Sequence, residues 1–189
     1  MNNFVYETPT KVYFGKDEEL KVGEIIAGYN PSKVLIHFGG KSAKESGLLD
    51  RVVSSLEKHN IRYVLLGGVV ANPELSLVRE GIALCQREGV DFILAVGGGS
   101  VMDSAKDIAN GVANPDVDVW DFSLGMAAPQ KTLRKGAILT LSAAGSEMSN
   151  SCVITNSETA EKRGYGSSFN RMDFAIENPE LTYTVSPYQ

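Results

Sequence analysis

The residues best suited to chemistry are Gly97-Gly98-Gly99-Ser100, at the centre of the stretch ILAVGGGSVMDSAKDIANGV over residues 93–112. Glycine lets a backbone approach a ligand where a Cβ would clash, and the first turn of a helix leaves N–H groups free to hold an anion. An apolar run from Phe92 to Val96 predicts a buried strand ahead of the glycines. After them Val101, Met102, Ala105, Ile108, Ala109 and Val112 recur at helical spacing. The pattern is strand, glycine turn, helix, with Ser100 expected as N-cap and Asp103 at N3 of a capping box in which Asp replaces Glu or Gln. By type this is a phosphate cradle. It is neither GxxxxGKS/T nor GxGxxG, and short glycine runs also tighten loops that bind nothing, so the motif alone leaves both readings open.

The elements needed to position this turn are legible around it. Residues 3–14 alternate apolar and polar about a Thr-Pro turn, predicting two short strands near an edge, and a weak amphipathic segment spans Leu20 to Ile26. Lys33 to Phe38 predicts a strand that ends in Gly39-Gly40, followed by a helix marked by Leu48, Leu49, Val52, Val53 and Leu56 and closed at His59-Asn60. Tyr63 to Leu66 gives the next strand, and Asn72-Pro73 is expected to open a helix that Gly89 ends, with Asn72 as its N-cap. Three strand-helix units in a row, the third carrying Gly97 to Gly99, predict an α/β fold: a Rossmann-like parallel sheet with helices on both faces. Gly39-Gly40, Gly67-Gly68 and Gly97 to Gly99 then share the carboxyl edge of one sheet, where such folds bind nucleotides. Beyond Asn114-Pro115 an irregular, solvated loop is expected through Asp118, Trp120 and Asp121. Ala137 to Leu141 predicts a further strand running into the small-residue turn SAAGSEMS, residues 142–149. Cys152 to Thr155 and Arg163 to Ser167 predict a late β-hairpin containing Lys162, and Phe174 to Ile176 one more strand.

Composition narrows the class. A chain of 189 residues with 43% hydrophobic and 22% charged residues is ordinary for a globular domain able to bury its own core. A net charge of −5 without any basic run argues against nucleic acid as a partner. The apolar runs fall well short of the roughly 18 residues a membrane span needs, and MNNFVYETP has no signal-peptide pattern, so a cytoplasmic protein is expected. Cys85 and Cys152 stand far apart with no CxxC, and Cys85 is read as core. His37 is read as packed within the sheet and His59 at a helix C-terminus.

Four segments in register then carry a family. GGGSVMDSAK at 97–106, TLSAAGSEMS at 140–149, ITNSETAEK at 154–162 and VYFG at 12–15 together resemble the iron-containing (group III) alcohol dehydrogenases, in particular the butanol dehydrogenase and NADPH-dependent aldehyde reductase branch. The likeness runs over nearly all of the chain and fits that branch better than the glycerol dehydrogenase and dehydroquinate synthase side of the superfamily. It implies that residues 1–189 form a dinucleotide-binding domain, followed in the family by an all-helical metal-binding domain. It further implies cofactor contacts at Gly98, Gly99 and Ser100 beside the pyrophosphate, with Asp103 behind them, and at Asn72, Thr140, Leu141, Ser149, Val153 and Lys162. Lys162 would lie by the nicotinamide ribose.

Two positions sharpen the expectation. Where NAD-preferring relatives place an acid for the adenosine ribose hydroxyls, this chain has Gly39-Gly40-Lys41-Ser42; no carboxylate opposes a 2′-phosphate there, and the loop amides, Ser42 and Lys41 favour one. NADP(H) is therefore expected in preference to NAD(H), with Gly39, Gly40 and Ser42 in the cofactor set. The family holds a divalent metal, iron or zinc, with one Asp and three His, the first pair as DxxxH; only His37 and His59 are present, so no metal or catalytic residue is assigned. The chain is expected to stop just short of the first ligand, the complete enzyme to move hydride between NADP(H) and a small alcohol or aldehyde, and these residues alone to be inactive. Apolar surface exposed by the missing domain would favour homo-oligomers. The alternative is a stand-alone nucleotide-binding module or scaffold without catalytic activity.

Overall fold

A computed structural model describes the chain at residues 3, 5, 7–183 and 185. Six parallel strands form one sheet: β1 (Lys11–Phe14), β2 (Val34–Phe38), β3 (Tyr63–Leu66), β4 (Phe92–Gly97), β5 (Arg134–Leu139) and β8 (Phe174–Glu177), in the spatial order β1-β8-β5-β4-β2-β3. β6 (Ser151–Asn156) and β7 (Glu161–Gly166) pair separately as an antiparallel hairpin. The longer helices are α3 (Leu48–Lys58), α4 (Leu75–Glu88) and α5 (Gly99–Ala113), and the shorter ones are α1 (Val22–Ala27), α2 (Ser42–Glu45) and α6 (Trp120–Leu124). None is long and apolar enough to cross a membrane.

β2 and β4 are buried along their whole length because helices cover both faces of the sheet. Leu35, Ile93 and Ala95 point into one core with Val78, Cys85, Met102 and Ile108 of α4 and α5. Val34, Ile36, Phe92 and Leu94 point into the other, with Ile26 of α1 and Leu49, Val52 and Leu56 of α3. β2 and β4 are hydrogen-bonded neighbours, yet β2 leads to α3 on one face and β4 to α5 on the opposite face. The loops after these strands must therefore part, which opens a cleft at the carboxyl edge.

Local departures from the sequence reading have simple causes. Gly97 completes β4 and Gly99 already begins α5, so the turn is Gly98 alone and Ser100 lies inside the helix with no side-chain cap. Asp103 makes no capping box, because its carboxylate is engaged by later segments of the chain. Asn72 does not cap α4: the cap position is Glu74, and Asn72 takes the left-handed conformation at φ 60°, which asparagine tolerates. Of the two strands expected in residues 3–14 only β1 is found among the described residues, and the first falls partly on residues outside them. The predicted irregular loop contains α6, and Thr140 and Leu141 lie just past the end of β5. The segment TYTVSPYQ at 182–189 lies largely outside the described residues.

One close approach limits substitution. A Cβ on Gly23 of α1 would sit 2.0 Å from the backbone carbonyl oxygen of Ser55 in α3, so the two helices meet only because position 23 is glycine. The Ser55 hydroxyl completes the contact, accepting from Gly23 N at 3.0 Å and donating to Leu20 O at 2.7 Å. Gly23→Ala is expected to lower stability by about 1–3 kcal/mol, since backbone must move, and to do so in urea through the midpoint with the slope preserved.

Candidate functional site

The cleft between the diverging loops encloses about 560 Å³. Its walls include Gly39, Gly40 and Ser42 after β2, Gly98 after β4, and Thr140 and Leu141 after β5. These segments are tied to one another beyond the strands: Thr140 N donates to Gly97 O at 3.1 Å and Gly68 N to Gly39 O at 3.0 Å. Six of the thirteen residues named from sequence thus line one cavity. Gly99 and Ser100 lie next to it in the first turn of α5, whose leading amides have no carbonyl within the helix and no capping side chain. A second cavity of about 400 Å³, beside Arg79, Gln86 and Asp116, contains none of the thirteen.

The glycines of the turn differ in what the fold demands of them. A Cβ on Gly97 would come within 2.5 Å of Val101 Cγ2, so that glycine is needed for packing. On Gly98 a Cβ would meet Leu141 at 3.6 Å and on Gly99 it would meet Ala144 at 3.5 Å and Ser146 at 3.8 Å, all ordinary contacts, and on Gly40 it would meet nothing within 4 Å. None of these three has a positive φ. Neither packing nor conformation requires glycine at 40, 98 or 99, whereas a ligand lying against the backbone would.

Asp103 stands behind the turn rather than in the cleft. Its Oδ1 accepts from Ser146 Oγ at 2.6 Å and its Oδ2 from Val153 N at 3.1 Å, which pins both the 142–149 turn and the start of β6 to α5. Sequence reasoning missed the residue that completes this knot. Lys106 is fully buried, and its ammonium donates to Ser146 Oγ and to Ser151 O, each at 2.7 Å, and lies 3.4 Å from Asp103 Oδ1. Burial pulls its pKa down, with the Asp103 charge pulling the other way. The only signal was its i,i+3 spacing from Asp103, which an exposed helical pair shows equally well. Val153 therefore contributes its amide to Asp103, and Ser149 Oγ accepts from Ser151 N at 2.9 Å.

A second missed cluster lies one turn further along α5. Tyr165 of β7 donates to Asp107 Oδ1 at 2.6 Å, and Asn110 donates to Tyr165 Oη and to Asn170 Oδ1 at 2.8 Å each. Burial raises the Asp107 carboxyl to about 7. Cys152 is buried beside it, with its thiol pushed well up. His37 is fully buried in the sheet, as the sequence implied: Nδ1 donates to Leu66 O at 2.9 Å, so Nε2 accepts from Ser104 Oγ at 2.8 Å. Burial holds this neutral imidazole down at about 4. His59 caps α3 at its C-terminus with Nδ1 on Ser55 O. On the hairpin Lys162 is exposed and donates to Asn72 Oδ1 at 2.7 Å, which joins two of the thirteen residues outside the cleft wall.

A sequence match to the iron-containing alcohol dehydrogenases covers residues 9–179. The chain belongs to the iron-containing alcohol dehydrogenase family. It is 44% identical to NADH-dependent butanol dehydrogenase A of Clostridium acetobutylicum over 189 residues, covering 100% of this chain and 48% of that protein. It is 36% identical to the NADPH-dependent aldehyde reductase YqhD of Escherichia coli, covering 100% of this chain and 48% of that one. The crystal structure of NADH-dependent butanol dehydrogenase A from Thermotoga maritima superposes with a TM-score of 0.96 at 42% identity, covering 100% of this chain and 47% of that one. The chain thus spans about half the length of the curated relatives it matches. The iron implied by the family name finds no fit here: among the described residues no three His, Cys, Asp or Glu side chains are grouped to hold a metal ion.

Two of the buried titrating groups, Asp107 and His37, act on stability with opposite signs between pH 4 and 7. Asp107, raised from 3.8 to about 7, binds its proton more tightly folded than unfolded, so its contribution is full below pH 3.8 and is lost as pH rises to about 7. His37, lowered from 6.5 to about 4, contributes fully above pH 6.5 and loses that contribution as pH falls to about 4. Asp107→Asn removes the first slope and leaves the second. Urea unfolding from pH 4 to 6.5 should therefore show stability rising with pH more steeply in Asp107→Asn than in the unsubstituted chain, the two curves running parallel well above pH 7.

Proposed function

We propose that this chain binds a nicotinamide dinucleotide across the carboxyl edge of its sheet, within an enzyme that interconverts a small primary alcohol and an aldehyde. The observation that carries the reading is the set of glycines at 40, 98 and 99, which the fold itself does not need: Gly40 and Gly98 line one cleft and Gly99 follows them in the first turn of α5. In this reading the amides of Gly98, Gly99 and Ser100 hold the pyrophosphate at the positive end of α5. Thr140 and Leu141 form the opposite lip, and Asp103 keeps that lip in place through Ser146 and Val153 without touching the cofactor. Ser149 supports the same edge from the 142–149 turn. Lys162 and Asn72 orient the nicotinamide ribose. When bound, the nicotinamide supplies hydride transfer. The residues described here bind and orient, and the alcohol or aldehyde meets further groups of the enzyme.

The adenosine end is assigned to Gly39, Gly40 and Ser42, with NADP(H) preferred. The segment from Gly39 to Lys44 contains two lysines and no carboxylate, and the Lys44 ammonium is held 5.3 Å from the centre of the Phe38 ring. Arg51 also lines the cleft, anchored on Glu19 and on Ser46 O, while the cleft acid Glu180 is paired with Lys16. A 2′-phosphate meets cations and amides here, and the one acid among the described residues that line the cleft is the paired Glu180. The relatives' names divide between NADH and NADPH, so the preference rests on these side chains.

Calorimetric titration is the test. Saturable binding is expected for both dinucleotides, with NADP+ tighter; NAD+ binding as tightly would refute the preference, and no binding of either by folded chain would refute the site. Gly99→Ala should leave the urea midpoint unchanged or raise it, since alanine favours the helix, yet weaken the dinucleotide about tenfold. Equal affinity in that variant would show that the missing Cβ serves no ligand.

A further inference from the structure

The β6–β7 hairpin is held at two places. At its base, Val153 N bonds Asp103, and Tyr165 bonds Asp107, both on α5. Its outer half, from Thr155 to Lys162, is held instead by the segment Asn72–Glu74. Thr155 N donates to Pro73 O at 2.8 Å, Glu74 and Thr155 form a parallel bridge, and Ser157 Oγ donates to Glu74 Oε2. Thr155 is the cross-strand partner of Lys162 in the hairpin register. An isolated two-stranded hairpin is marginal by itself, so whatever fixes the outer half fixes Lys162.

We infer that the Glu74–Ser157 hydrogen bond is a latch that positions Lys162, making Glu74 and Ser157 positioning residues for the nicotinamide half of the dinucleotide site. The inference rests on the placement of Lys162 proposed above. Glu74 occupies the N-cap position of α4 without capping it, because its carboxylate turns to the hairpin. It thereby joins α4, whose first turn packs through Leu75 in the core, to the outer half of the hairpin. The adenosine end is built from other elements, after β2, and does not depend on the latch. The two halves of the ligand therefore report on different parts of the chain.

The test compares the tighter-binding dinucleotide with its own adenosine fragment, 2′,5′-ADP for NADP+ or ADP for NAD+, in calorimetric titrations of folded protein. Glu74→Ala and Ser157→Ala should each weaken the dinucleotide about three- to tenfold, as loss of one hydrogen bond does, and leave the fragment unchanged. The double variant should be no worse than either single one, and Glu74→Gln, which keeps an acceptor for Ser157, should recover most of the affinity. Hydrogen exchange supplies a readout without ligand: the Thr155 amide should exchange faster in Glu74→Ala while that of Val153 is unaffected. Undiminished dinucleotide affinity, equal loss for fragment and dinucleotide, or unchanged exchange at Thr155 would overturn the latch. Dinucleotide affinity that is undiminished by Lys162→Ala would instead overturn the placement of Lys162, whatever Thr155 does.

Discussion

The parting of the backbone after β2 and β4 is the constraint on which the rest of the site depends. The two strands share hydrogen bonds along five paired residues, and nothing separates them until Phe38 and Gly97. Beyond that point each chain must reach a helix on a different face, because the apolar residues of both strands alternate between two cores. A cleft results from topology alone, before any side chain is considered. Its position also decides which residues matter: those just past the strands, where the backbone has left the ladder and its amides have not yet entered a helix.

What keeps the cleft in shape is a set of buried polar contacts along α5. A lysine and an aspartate between a helix and the hairpin that covers it are costly to desolvate, and such groups are held only where hydrogen bonds satisfy them. Lys106, Asp103 and Ser146 meet that condition, and through them the helix that begins at the cleft also fixes the turn that follows its far lip. One turn further on, Asp107, Tyr165 and Asn110 do the same for the hairpin base. The face of α5 turned away from the sheet is therefore polar yet buried, with the hairpin as its cover.

The family relationship gives this arrangement its chemical setting. Relatives named for opposite nicotinamide cofactors share the chain's full length in sequence, so the common architecture does not choose between them. The side chains past β2 are where the packing of the fold leaves most freedom, since a Cβ on Gly40 would meet nothing within 4 Å.

The sequence by itself determined the sheet and its helices, because burial on both faces writes continuous apolar runs for strands and i, i+3, i+4 stripes for helices, each a local signal. It also determined the family, through four short motifs kept in order, and it marked the glycine turn. It misplaced caps at Ser100 and Asn72, where propensity favours a role that the backbone path does not allow. Only the tertiary structure decided that Lys106 is buried, that Asp103 holds the turn instead of the helix end, and that Glu74 meets Ser157 across 83 residues. It alone separated Gly97, required by Val101, from Gly98 and Gly99, which no neighbour constrains. Such distinctions depend on which distant segment lies within a few ångströms, and residue type and spacing carry no record of that.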